Sequence, residues 1–159
     1  MIELGDNTSR WGAPPSALRA MRAASESALA GYPQIYSEDL KTVLAAYANV
    51  DEDMIVTGCG SDDILNSTIR AVTEPGDRLA MLDPTFVMVP LFARLHGVVV
   101  DRIPLDADYG LSVSAFAARD ARLTYLCSPN NPTGTPIARE TIVSIVSRGA
   151  HSGTEATTL

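Results

Sequence analysis

The stretch Ser128-Pro129-Asn130-Asn131-Pro132-Thr133-Gly134 sets two side-chain amides between two prolines. It follows the apolar run 123–127, which reads as a buried strand, and precedes a helical pattern. The prolines fix φ on either side of the amides, and Gly134 frees the exit. At the carboxyl end of a strand, where open α/β sheets place their ligands, such a turn can hold Asn130 or Asn131 as a pre-positioned donor toward a ligand oxygen. A plain Asn-Pro turn joining strand to helix has the same composition. A second candidate is Gly58-Cys59-Gly60-Ser61, between a strand expected over Asp53 to Thr57 and a helix that turns Ile64, Leu65, Thr68 and Val72 inward. A strand, a Gly-x-Gly turn and a helix start gather unpaired N–H groups and the positive end of a helix dipole, which suits phosphate. The turn lacks the Gly-Lys-Ser/Thr ending of a P-loop and the third glycine of a dinucleotide fingerprint. Asp62 and Asp63 stabilise the helix start but oppose an anion if their carboxylates point inward.

These turns need a scaffold, and the pattern supplies one. Pro15 to about Ala30 is an Ala-rich helix pattern that stops at Gly31. Tyr32 to Tyr36 is an extended connector, because Pro33 biases its predecessor away from the helical region. Ser37-Glu38-Asp39 caps a helix whose Leu40, Val43, Leu44 and Tyr47 share one face, leaving Lys41, the sole lysine, off that face and solvated. Glu74 to Asp77 is a turn. Arg78 to Leu82 is a strand ending in Asp83-Pro84-Thr85-Phe86, and a helix carrying Phe86, Val89, Pro90 and Phe92 follows to His96. Val98 to Val100 reads as a buried strand, a polar turn spans Asp106 to Gly110, and short helices are expected at 113–118 and 138–146. Strands alternating with helices predict an α/β fold, a mainly parallel sheet with helices on both faces. Residues 147–159 hold no apolar run for a further strand and read as a frayed or foreign tail, with His151 solvated.

At 159 residues the chain suits one domain with a real core. Its apolar share of 46% and charged share of 19% are those of a globular protein. A net charge of −7 argues against an extended nucleic-acid footprint. Cys59 and Cys127 lie far apart without His or Cys at ligand spacing, so neither a metal site nor a disulfide framework is expected, and a reducing cytoplasm is the natural setting. No signal peptide and no membrane-spanning run are read.

Taken in order, six features resemble the fold type I pyridoxal-phosphate-dependent aminotransferases of class I/II, closest to the histidinol-phosphate aminotransferase branch. They are the arm Asn7 to Pro15, Tyr32-Pro33, Gly58 to Asp63, Pro75-Gly76-Asp77, Asp83 to Phe86, and Ser128 to Gly134. The resemblance implies an N-terminal arm and helix over 1–36, part of the cofactor-binding large domain over 37–146, and the tail over 147–159. It implies that Ser61, Asp62 and Asp63 hold the cofactor phosphate, that Phe86 stacks on the pyridine ring, and that Asn131 bonds the ring's phenolic oxygen. Tyr32 matches a tyrosine that reaches the phosphate of the neighbouring subunit in a homodimer, and Asn7 and Trp11 fall in the arm that closes over substrate. Amino acids and 2-oxo acids are the implied substrates.

One departure qualifies the resemblance. The family's Schiff-base lysine, its acid facing the pyridinium nitrogen and its substrate arginines all lie beyond the equivalent of Gly134, yet no lysine or aspartate follows Gly134 here. Lys41 does not match the family's lysine. The expectation is therefore an amino-terminal portion of a transaminase, inactive as this chain. Alternatives are a pyridoxal-phosphate-dependent amino-acid phosphate decarboxylase of similar pattern and a non-catalytic fragment that binds a phosphate ligand or a partner.

Overall fold

The computed structural model describes residues 8–149, with side chains to Ser147. Asn7 and most of the expected tail, His151 included, lie outside the described residues. Contacts divide the chain into two units, Met1–Thr57 and Gly58–Leu159.

The first unit carries helices α1 (Pro15–Arg22), α2 (Glu26–Ala30) and α3 (Glu38–Ala48), then a single 3-10 turn at Glu52–Met54. The single helix expected from Pro15 to Ala30 is two, because Ser25 leaves the helical conformation and its Oγ accepts from Ala28 N–H at 3.1 Å, capping α2. Ser37 is not the side-chain cap of α3; it sits at φ 50°, and Gln34 instead binds Asp39 through both the backbone N–H and the carboxylate. The expected inward face of α3 is also revised. Leu40, Val43 and Tyr47 are exposed, Ala45 is the one buried residue among those described in this unit, and Lys41 is half-buried rather than solvated. No strand forms over Asp53 to Thr57: Ile55 is extended, but Met54 and Val56 are exposed and the segment pairs with nothing in the sheet.

The second unit holds the sheet and its core. Helix α4 (Gly60–Val72) leads into β1 (Arg78–Asp83), α5 (Met88–Leu95), β2 (Val99–Pro104), α6 (Val113–Ala117), β3 (Leu123–Tyr125) and α7 (Arg139–Gly149). The three strands are parallel in the order β2-β1-β3. Alternation along β1 builds two layers. Leu79 and Met81 pack with Leu65 and Ile69 of α4 and Val89 and Phe92 of α5, while Ala80 and Leu82 pack with Ile103, Phe116 of α6 and Ile145 of α7. The expected parallel sheet with helices on both faces is therefore present.

Val98 to Val100 does not form an evenly buried run: Val98 is buried but Val99 is exposed, as suits an edge strand with one covered face. Two diagonal ion pairs lace β2 to β1. Asp101 accepts from both Nε and Nη2 of Arg78, and Asp83 accepts from Arg102 Nη1 at 3.0 Å. The carboxylate of Asp101 raises the pKa of the Arg78 guanidinium above its ordinary value.

Candidate functional site at the carboxyl edge of the sheet

The loops that carry the candidate residues converge because of strand direction. Asp83 to Phe86 leaves the carboxyl end of β1, and Ser128 to Gly134 leaves that of its parallel neighbour β3. The 13 residues of α4 rise about 20 Å at 1.5 Å each, close to the length of the six-residue β1. Since α4 turns into β1 through residues 73–77 and packs along its face, its start returns to the edge where β1 ends. All three loops thus lie on the edge where doubly wound sheets bind ligands.

At the start of α4, Gly60, Ser61 and Asp62 precede Asp63, the first residue whose N–H can reach a helical carbonyl, that of Cys59, so their own backbone donors have no partner within the helix. Ser61, Asp62 and Asp63 are all exposed. The carboxylate of Asp63 takes one helix-start donor for itself: its Oδ2 turns back to accept from Cys59 N–H at 2.8 Å, which leaves those of Gly60, Ser61 and Asp62. Gly58 is required for that return, because a Cβ on it would stand 2.6 Å from Asp63 Oδ2 and 2.8 Å from Ile64 Cδ1. Gly60 sits at φ 80°, the left-handed region that glycine favours. The result is a cluster of outward N–H groups and a serine hydroxyl, a donor set that fits a phosphate.

Phe86 is half-buried, packed at the margin of the cluster that contains Met81 and Val89, so part of its ring remains open. The two amides of the opening motif have separated roles. Asn130 is 2% exposed. Its Oδ1 accepts from Thr85 Oγ1 at 2.6 Å, and its Nδ2 donates to Pro84 O and to Thr133 Oγ1, both at 3.0 Å. Its backbone closes the turn through Gly134 N–H to Asn130 O and Asn130 N–H to Thr135 O. Asn131 is exposed, and its side chain has no hydrogen bond among the described residues. The peptide bonds before Pro84, Pro129 and Pro132 are cis.

Composition and spacing left both asparagines open and the family resemblance pointed to Asn131; the structure engages Asn130 and leaves Asn131 without a side-chain hydrogen bond among the described residues. Thr85, hidden in the sequence as an ordinary turn residue, is the buried partner that the motif reading missed. Its position one residue after Pro84 and before Phe86 is the signal that could have marked it. Tyr125 lies behind this edge on β3. Burial, aided by a hydrogen bond with Cys127, raises its phenol pKa. Trp11 and Tyr32 belong to the first unit, where both are fully solvent-facing at 93% and 103% exposure. Lys41 is on α3, also in that unit. Among the described residues no cluster of His, Cys, Asp or Glu could hold a metal ion.

The sequence matches the family Aminotransferase class I and II over residues 1–152. The chain belongs to the class I and II aminotransferases. It is 36% identical over 149 residues to the histidinol-phosphate aminotransferase of Roseiflexus castenholzii, covering 89% of this chain and 40% of that protein. The chloroplastic histidinol-phosphate aminotransferase of Nicotiana plumbaginifolia is 31% identical over 150 residues, 92% of this chain and 36% of the relative. Among solved structures, histidinol-phosphate aminotransferase from Sinorhizobium meliloti in complex with pyridoxal-5'-phosphate superposes with a TM-score of 0.82 at 28% identity, covering 91% of this chain and 40% of that one. The chain thus spans about 40% of the length of these aminotransferases.

Proposed function

We propose that this chain is the cofactor-cradling part of a pyridoxal-phosphate-dependent transaminase that moves an amino group between an amino acid and a 2-oxo acid, with histidinol-phosphate-like substrates. The N–H groups of Gly60, Ser61 and Asp62 and the Ser61 hydroxyl hold the cofactor phosphate, Phe86 covers the ring, and the free amide of Asn131 donates to the phenolic oxygen. When bound, the cofactor supplies the electron sink for amino-group transfer. In a homodimer, Tyr32 adds a contact to the neighbour's phosphate, and Asn7 and Trp11 lie over the substrate. The reading places the protein in the cytoplasm; among the described residues no helix is long and apolar enough to cross a membrane.

The chain supplies the cradle but not the reactive amine. Its sole lysine, Lys41, is on α3, and no lysine or aspartate follows Gly134. Transamination by these residues alone is therefore not expected. The carrying observation is the outward donor set at the start of α4 on the same sheet edge as the unengaged Asn131.

Titration with 4'-deoxypyridoxine 5'-phosphate, which has the ring and phosphate but no aldehyde, tests the cradle by amide NMR. Shifts at Ser61, Asp62 and Asn131 are expected; shifts confined to other residues, or none at all, would sink the reading. Borohydride treatment with pyridoxal phosphate tests the amine: any label on Lys41 or the amino terminus is expected to be unaffected by 4'-deoxypyridoxine 5'-phosphate, and a stoichiometric Lys41 label that this compound blocks would show that the chain carries its own.

A further inference from the structure

We infer that Asn130 is a positioning residue: with Thr85 it clasps the two strand-end loops into one body, so that Phe86 and Asn131 are presented to a ring-bearing ligand at a fixed separation. The inference rests on the cradle reading for its ligand but not for its mechanics.

Three observations carry it. The clasp joins different loops, since Thr85 Oγ1 donates to Asn130 Oδ1 at 2.6 Å and Asn130 Nδ2 donates to Pro84 O at 3.0 Å across 45 and 46 residues of chain. Both side chains are buried, Thr85 at 6% and Asn130 at 2% exposure, so water does not readily replace these bonds. The two ligand-facing groups are the immediate neighbours of the clasp, Phe86 following Thr85 and Asn131 following Asn130. Beyond the short β1–β3 ladder, which ends at Met81 and Tyr125, these bonds connect the two loops. A shift of either loop therefore moves one ligand contact relative to the other unless the clasp holds. The second Nδ2 bond, to Thr133 Oγ1, uses the remaining amide hydrogen, so that Asn130 donates both hydrogens and accepts one bond. An aspartate would set a carboxylate oxygen against Pro84 O, and leucine would leave both loops unlinked.

The test uses the whole chain as wild type, Thr85→Val, Thr85→Ser and Asn130→Leu. Thr85→Val keeps shape and removes only the hydroxyl; Thr85→Ser restores it. In the ligand-free chain, hydrogen exchange at 84–88 and 130–135 should accelerate together, severalfold, in Thr85→Val and Asn130→Leu, with strand β1 unchanged and Thr85→Ser resembling wild type. Acceleration only in the mutated loop, or throughout the second unit, would overturn the clasp whether or not the chain binds a cofactor. For the ligand, 4'-deoxypyridoxine 5'-phosphate and inorganic phosphate are titrated against each variant. Thr85→Val should weaken the ring-bearing compound about tenfold, leave inorganic phosphate unchanged, and be rescued by Thr85→Ser. Equal loss for both ligands, or loss for neither, overturns the positioning role. Wild-type protein that binds neither compound refutes the cradle reading instead, and the exchange result then decides the clasp alone.

Discussion

Single residues set this site through what they keep out of the way. Gly58 lets the carboxylate of Asp63 fold back onto Cys59 N–H, which stabilises the helix start and confines its negative charge to the Cys59 donor. Gly58→Ala should lower stability by about 1–2 kcal/mol, as loss of a helix-start bond does, and weaken inorganic phosphate binding. Urea unfolding and an NMR phosphate titration check it; an unchanged midpoint would mean that Asp63 is not confined by the glycine. Tyr125 gives a pH-dependent consequence. Burial favours its neutral phenol, so the folded state keeps the proton above the unfolded tyrosine value of about 10. The stabilisation is fully present below that pH and is lost as pH rises toward the higher folded value, where the unfolded chain has already released its proton. Wild type should therefore lose stability above about pH 10 more steeply than Tyr125→Phe, read as the urea midpoint against pH.

At the scale of elements, β1 is the member whose failure the second unit cannot absorb. Leu79 is fully buried between α4 and α5, so Leu79→Ala should cost about 2–5 kcal/mol by lost transfer energy and a residual cavity. Thermal unfolding followed by circular dichroism would register it, and a loss under 1 kcal/mol would contradict the central place given to β1. How far the sequence spoke depended on what each element needs. The continuous apolar run Leu79 to Leu82 of β1, buried on both faces, and the apolar spacing of α5 were legible because each carries its burial pattern in its own residues. The segment Asp53 to Thr57 was not, because Met54, Ile55 and Val56 are apolar enough for a strand but a strand also requires a neighbour, and the sheet offers it none. The stripe Leu40, Val43 and Tyr47 on α3 announced a covered face without saying by what, and among the described residues of its own unit nothing covers it. In the site, the turn was legible from composition, while the singling out of Asn131 came from the family resemblance and the role of Asn130 from neither. Asn130 and Asn131 are chemically alike, and only the fold brings Thr85 to one of them.

The whole molecule is lopsided in its use of apolar surface. The second unit has a two-layer core, whereas the first buries only Ala45 among its described residues and leaves Trp11, Tyr32, Tyr36 and Tyr47 open. Aromatic side chains cover about 150–250 Å² each when buried. These four would supply roughly the 800 Å² per partner of an ordinary stable interface. This matches the proposed homodimer, in which Tyr32 serves a neighbouring subunit. In the lone chain Trp11, Tyr36 and Tyr47 are open to chymotrypsin, while Pro33 blocks cleavage after Tyr32. Tyr109 is exposed as well, but its turn is held by Asp106, which accepts from Asp108 N–H and Gly110 N–H. In dilute solution the first cuts should follow Trp11, Tyr36 or Tyr47 and leave a resistant fragment containing residues 58–147. Raising the protein concentration should slow the cut at Tyr36 per molecule, while a short tyrosine peptide added as a control is cleaved at an unchanged rate. Mass spectrometry of timed digests reads both. A Tyr36 cleavage rate independent of concentration, together with a monomeric mass at the highest concentration, would remove self-association as the cover for the first unit.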